Sequence, residues 1–202
     1  MSGSGGWAGK VLRVNLSTGK ISTEPTVERF RDFVGGTGIG YKVIWDEVPR
    51  GTKPFDEANK IIFGVGPLAG TGAPCNGRTA ITSLWPTCWP VPLVGSGHMG
   101  GYFAAGLKYA GYDAVIIEGQ ADSPVWLSIS DSEVKIKDAR HLWGQGIRRA
   151  TVAISQEMGP DASVAAIGQA GENLVPMSVI INSVSHSAGG LGAVSYTHLT
   201  LP

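Results

Sequence analysis

Lys60-Ile61-Ile62-Phe63-Gly64-Val65-Gly66-Pro67-Leu68-Ala69-Gly70 is an apolar run that stops at a glycine and a proline. Its first part, Lys60 to Val65, predicts a buried strand, and Gly66-Pro67 ends it. A second run, Ala80 to Leu84, predicts another strand, and the loop between the two holds Gly, Pro, Asn and a single Arg. That loop is a candidate site. From Ile61 to Ala110 the only charged residues are Arg78 and Lys108, ten glycines occupy the same stretch, and no acid occurs from Ile61 to Tyr112. A second charge-free stretch, Asn173 to Pro202, contains Asn182, Ser183, Ser185, His186, Ser187, Ala188, Gly189, Gly190 and Gly192. Loops of this kind expose backbone N–H groups and let a bulky ligand approach the chain, which suits phosphate or another anionic, polar cofactor. Buried packing segments have the same composition, so composition alone does not decide between the two.

Outward from this centre the chain alternates between two periodicities. Lys10 to Leu16 places Leu12, Val14 and Leu16 on one face, and Ser17-Thr18-Gly19-Lys20 turns the chain into a return strand at Ile21 to Thr23. Helical spacing of Val27, Phe30, Phe33 and Val34 predicts a helix from Thr26 to Val34, which Gly35-Gly36 ends before a further apolar stretch from Ile39 to Trp45. Gly101 to Gly111 predicts a short helix stopped by glycine, followed by a strand at Ala114 to Glu118. Val125 to Ile129 and Val134 to Ile136 predict a hairpin, and Trp143 to Met158 an amphipathic helix with Ile147, Ala150, Ile154 and Met158 in register. Ala162 to Ile167 predicts a strand, and Val175 to Asn182 is compatible with strand or helix.

The 202 residues carry 16 basic and 16 acidic side chains, a formal net charge of zero. Only 16% of residues are charged and 43% are hydrophobic, against roughly 25% charged in an average soluble protein, so a substantial core can form. Neutrality argues against nucleic acid or an anionic membrane surface as the main partner. Two cysteines, Cys75 and Cys88, are too few for a disulfide scaffold, and a reduced, cytoplasmic setting is expected. No secretory signal or membrane-spanning run is evident. The anomaly is glycine, 30 of 202 residues, roughly twice the usual share.

Two constellations compete for the function. Gly95-Ser96-Gly97-His98-Met99-Gly100 matches G-x-G-x-x-G, precedes a predicted helix and has Glu118 near the position of a ribose-binding acid, which supports an NAD(P)-dependent oxidoreductase. Against this, Pro86, Pro90 and Pro92 stand where the preceding central strand should lie. Arg78 is the other: an isolated guanidinium can make bidentate, charge-assisted bonds to an anionic or polar ring system, or can simply cap a strand with its head in water. His98, His141 and His186 lack metal-ligand spacing, Cys75 has no base near it in sequence, and nothing selects Asp56, Glu57, Asp131 or Glu133 for acid-base work.

Several segments together resemble the N-terminal domain of the aldehyde ferredoxin oxidoreductase family, the tungsten or molybdenum pterin enzymes. They are Leu12-Arg13-Val14-Asn15-Leu16-Ser17-Thr18-Gly19; Gly66-Pro67-Leu68-Ala69-Gly70-Thr71 with Ala73-Pro74 and Gly77-Arg78; Gly100-Gly101-Tyr102-Phe103; Lys108-Tyr109-Ala110-Gly111-Tyr112-Asp113; Leu142-Trp143-Gly144; and Ile167-Gly168-Gln169-Ala170-Gly171-Glu172-Asn173-Leu174-Val175. The resemblance implies an α+β domain, residues 7–193, in which two twisted sheets with short flanking helices form a saddle for a bis-pterin cofactor. By position, Arg78 matches an arginine that contacts pterin and approaches the iron-sulfur cluster. His98 and Gly100 match an Asn and a Gly at one pterin contact, and Ser187, Ala188 and Gly190 match a second, where the family usually has Arg in place of Ser187. The carbonyl oxygens at the His98 and Ala188 positions would help hold a Mg²⁺ between the pterin phosphates.

The resemblance further implies an anaerobic, cytoplasmic enzyme that oxidises aldehydes to carboxylic acids and passes electrons through a 4Fe-4S cluster to ferredoxin or a similar carrier. The family's cluster ligands follow C-x-x-C-x-x-x-C, and neither Cys75 nor Cys88 matches them, so the cluster and the acid-base residues are expected outside this chain. Such a piece would bind cofactor without transferring electrons by itself. Residues 194–202, Val-Ser-Tyr-Thr-His-Leu-Thr-Leu-Pro, depart from the family pattern and resemble translated adapter read-through, so a non-native tail is expected there. Besides the nicotinamide enzyme, a non-catalytic binding or assembly domain stays open as a reading, and so does association into a homo-oligomer.

Overall fold

The computed structural model describes residues 5–130, 133–184, 186–188, 191–192 and 194. In chain order it has strands β1 (Lys10–Asn15) and β2 (Lys20–Pro25), helix α1 (Thr26–Phe30) with a 3-10 turn at Arg31–Phe33, and α2 (Thr37–Glu47). Strands β3 (Lys60–Val65), β4 (Thr79–Trp85) and β5 (Leu93–Met99) follow, then α3 (Phe103–Tyr109) and β6 (Ala114–Glu118). The remainder is the hairpin β7 (Val125–Ser130) and β8 (Glu133–Asp138), a 3-10 turn at Arg140–Leu142, α4 (Gly146–Met158), β9 (Ala165–Ala166), α5 (Gln169–Glu172), β10 (Ile180–Asn182) and β11 (His186–Ala188).

Six strands form one sheet in the order β2-β1-β6-β3-β4-β5, in which only the β1–β6 pair is parallel. Successive side chains of a strand point to opposite faces, and here both faces are covered, so the central strands are apolar at nearly every position. Ile61, Phe63, Val65, Val115 and Ile117 face α3 and the β7–β8 hairpin. Ile62, Ala114 and Ile116 face the other way, onto Phe30, Ile39, Val43 and Ile44 of α1 and α2. A three-stranded sheet, β11-β10-β9, and the separate β7–β8 ribbon complete the mixed α+β architecture. Helix α4 packs Ala150 and Ile154 beside Trp126 of β7 and Val164 and Ala166 of the β9 region.

The expected two sheets are thus a large sheet, a small one and a ribbon. The strand expected over Ala162 to Ile167 shortens to β9, because its neighbour β10 pairs only through Ala165 and Ala166. Of the ambiguous stretch Val175 to Asn182, the last three residues are strand.

A dense ion-pair network crosses the sheet from β2 through β1 and β6 to β3 and reaches α1 and α2. Arg13 pairs with Glu47 at 2.5 Å and Glu24 at 3.1 Å, Arg29 reaches Glu47 at 2.6 Å and Asp46 at 3.2 Å, and Lys60 bridges Glu47 and Glu118. Burial pushes the Glu47 carboxyl up, but hydrogen bonds from Arg13 and Arg29 and the charges of Arg13 and Lys60 outweigh it and hold the group down at about 2.

Candidate functional site

Strands β4 and β5 pair with Thr79 opposite Met99 and Ala80 opposite His98. Arg78 immediately precedes β4 and Gly100 immediately follows β5, so the antiparallel register brings them to the same end of the ladder. The chain is drawn tight here: a Cβ added to Gly77 would lie 3.1 Å from the Gly101 carbonyl oxygen. The small sheet stands beside this edge, with both β10 and β11 in contact with β5. Arg78 and Gly100 therefore lie at the same end of the β4–β5 ladder, and β11, the strand that carries Ser187 and Ala188, contacts β5. Gly190 lies outside the described residues, as do residues 195–202 of the expected tail; Val194, the first of that stretch, is fully buried.

Arg78 is exposed and makes no hydrogen bond or ion pair among the described residues. A guanidinium carries five donors, and those of Arg78 meet no acceptor among the described residues. Directly behind it, the Thr79 hydroxyl is buried without a partner.

His98 is also exposed, and its Nε2 lies 3.2 Å from Thr37 Oγ1. Thr37 Oγ1 is 3.3 Å from Ser96 Oγ, which is 3.2 Å from Thr82 Oγ1, so a row of hydroxyls runs from His98 onto the sheet. Thr37 and Thr82 were not among the candidate site residues. Thr37 belongs to α2, and no motif in the sequence couples it to His98 across 61 positions.

The dinucleotide reading does not survive the geometry. Gly95 to Met99 lie inside the antiparallel strand β5 at the edge of the sheet, with no parallel strand leading into a phosphate-binding turn. Gly95 has another purpose: the Trp85 ring lies against it, and a Cβ there would fall 1.7 Å from a ring carbon. Glu118 is committed as well, to Lys60 and to Asn15 Nδ2 at 3.3 Å.

Cys75 is exposed, Cys88 is half-buried and both are free thiols. Among the described residues no three His, Cys, Asp or Glu side chains cluster as metal ligands, and no helix is long and apolar enough to cross a membrane. A cavity of about 430 Å³, which sequence reasoning missed, opens between the large sheet, α3, β7 and α4, lined by Phe63, Phe103, Leu107, Trp126 and Ile154. Neither Arg78 nor His98 borders it.

Comparison with known proteins gives consistent matches. The family model for the aldehyde ferredoxin oxidoreductase N-terminal domain matches residues 11–198. The tungsten-containing aldehyde ferredoxin oxidoreductase of Pyrococcus abyssi is 42% identical over 193 residues, covering 94% of this chain and 31% of the relative. Its counterpart in Pyrococcus furiosus is 39% identical over 194 residues, with the same coverage of 94% and 31%. The chain thus spans about a third of the length of the curated relatives it matches. Among solved structures, the active-site complex BamBC of benzoyl coenzyme A reductase, in complex with 1,5-dienoyl-CoA, superposes with a TM-score of 0.91 at 38% identity, over 96% of this chain and 30% of that one.

Proposed function

Because the chain belongs to the aldehyde ferredoxin oxidoreductase family and corresponds to its N-terminal domain, we propose that residues 7–193 bind a tungsten or molybdenum bis-pterin for a cytoplasmic oxidoreductase. The whole protein would oxidise an aldehyde to a carboxylic acid and deliver two electrons through a 4Fe-4S cluster to ferredoxin or a similar carrier. When bound, the metal and its dithiolenes supply the redox chemistry; this chain binds and orients. The observation that carries the reading is the placement of Arg78 and Gly100 at one end of the β4–β5 ladder, beside which β11 contacts β5, with the Arg78 guanidinium unpartnered among the described residues.

The residues present fit an anionic, polar ligand of this kind. Arg78 would clamp it with charge-assisted, bidentate bonds, a geometry that a point-charge lysine does not reproduce. At Gly100 the backbone can approach a flat ring system without a side chain in the way. The carbonyl oxygens of His98 and Ala188 would ligate Mg²⁺, a hard cation that takes oxygen donors irrespective of side chain. Ser187 and Gly190 would complete the second contact, with the serine hydroxyl giving a shorter and uncharged reach than an arginine. The chain's two cysteines are fewer than a 4Fe-4S cluster needs, so its ligands would come from the rest of the protein.

The named relatives favour an aldehyde substrate and ferredoxin as partner. The likeness to the benzoyl coenzyme A reductase complex favours a second reading, the same cofactor cradle in an enzyme that acts on an acyl-CoA. Anaerobic production of the full-length protein with tungstate, then with molybdate, tests both readings. Metal and pterin near one complement per chain with aldehyde-dependent reduction of a viologen dye supports the first reading. Dye turnover only with an acyl-CoA supports the second, and folded protein with neither metal nor pterin overturns the cofactor assignment.

A further inference from the structure

Asn182, at the end of β10, is fully buried, yet its amide is saturated with partners from three parts of the chain. Its Oδ1 accepts the Tyr102 N–H at 3.2 Å. Its Nδ2, with two hydrogens to donate, lies 2.8 Å from the Val164 carbonyl oxygen, 3.0 Å from Ser163 Oγ and 3.2 Å from Ser183 Oγ. The orientation of the amide follows from its neighbours: a backbone N–H needs an acceptor and a carbonyl needs a donor, so only one of the two flips satisfies both. Aspartate would lack the donor, and serine the reach.

The two ends of this bridge matter for the site. Tyr102 follows Gly100-Gly101, at the end of the β5 contact, while Asn182 opens the turn into β11 and stands opposite His186 in the β10–β11 register. Among the described residues no hydrogen-bonded ladder joins the large sheet to the small one. Resting on the cofactor reading above, we propose that Asn182 is a positioning residue: it sets the separation between the His98–Gly100 segment and the Ser187–Ala188 segment, and with it the width of the cleft into which the two-pterin ligand fits.

The test uses the full-length protein produced anaerobically with tungstate, in parent, Asn182→Ala, Arg78→Ala and Ile154→Ala forms. Ile154 is buried in α4, in a cluster that contains neither segment, so its variant reports the effect of lost core packing. Tungsten and pterin are counted per folded chain, and amide hydrogen exchange at Tyr102 is followed in cofactor-free protein. The expected result is at least a fivefold loss of tungsten and pterin in Asn182→Ala with faster exchange at Tyr102, while Ile154→Ala stays loaded. Full loading of Asn182→Ala alongside a depleted Arg78→Ala would overturn the positioning role and leave the cofactor reading standing. Depletion of Ile154→Ala to the same degree as Asn182→Ala overturns it too, since instability then accounts for the loss. Absence of metal and pterin from the folded parent overturns both.

Discussion

Lys108 and Asp113 form an ion pair sealed inside the fold, with the lysine side chain 7% exposed and the aspartate not at all. The carboxylate also accepts the N–H groups of Ala8 at 2.9 Å and Gly9 at 2.8 Å and the Thr26 hydroxyl at 2.7 Å. The lysine donates in addition to the Gly6 carbonyl at 2.6 Å. One charged pair thus ties the segment before β1, the start of α1 and the end of α3 to a single point. Removing one partner of such a pair leaves a buried charge uncompensated, at a cost of about 3–5 kcal/mol. Asp113→Ala is expected to fall in that range by urea unfolding, and Lys108→Met to cost less, because the remaining carboxylate keeps its three neutral donors.

Glu47 gives the stability a specific acid dependence. Its folded-state value is depressed from 4.5 to about 2, so the stabilisation is complete above pH 4.5 and is lost as the pH falls through the interval down to 2. Allowing for solvent screening of a half-buried group, the contribution is about 1–2 kcal/mol. Urea midpoints measured between pH 6 and pH 3 should drop more steeply for the parent than for Glu47→Gln, which has already lost this term at neutral pH. Equal slopes would show that the Arg13–Glu47–Arg29 contacts are not formed in solution.

Arg78→Ala should leave the thermal midpoint of cofactor-free protein within about 1 °C, as expected for an exposed side chain with no partner. In the full-length protein it should lower tungsten and pterin content severalfold, with Arg78→Lys retaining an intermediate amount. Unchanged content with unchanged turnover would remove the arginine from the site.

Gly95→Ala should destabilise the fold by about 1–3 kcal/mol, because the new methyl group would overlap the Trp85 ring and the strand must shift. Gly66→Ala is the matched control, since nothing lies within 4 Å of a Cβ at that position. Titration of the same Gly95 variant and its parent with NADH should give no saturable binding in either.

These residues also show what a sequence can and cannot reveal. Lys60–Val65, Thr79–Trp85 and Ala114–Glu118 were legible as strands because both sheet faces are covered, which leaves a continuous apolar signature bounded by turns. Arg78 stood out because its surroundings are neutral. The β7–β8 hairpin and α4 were legible from their periods of two and 3.6. The links that assemble the site were not legible. Thr37 meets His98 and Asn182 meets Tyr102 across 61 and 80 positions, and single polar contacts at that range leave no periodic trace. Gly95 misled for a related reason: a glycine needed for phosphate approach and one needed for a tryptophan ring look alike until the ring's position is known.

The order of strands in the large sheet constrains how the molecule can be made. β1 lies between β2 and β6, and its parallel ladder runs from Val11 opposite Ala114 to Asn15 opposite Glu118. A nascent chain emerges from the ribosome N-terminal end first, so the opening hairpin is complete long before its neighbour has been translated. During that interval β1 offers an unsatisfied edge and the apolar side chains Val11, Leu12 and Val14 to any strand that comes near. Translation past residue 118 supplies β6, the strand that joins the opening hairpin to β3 and so covers that edge.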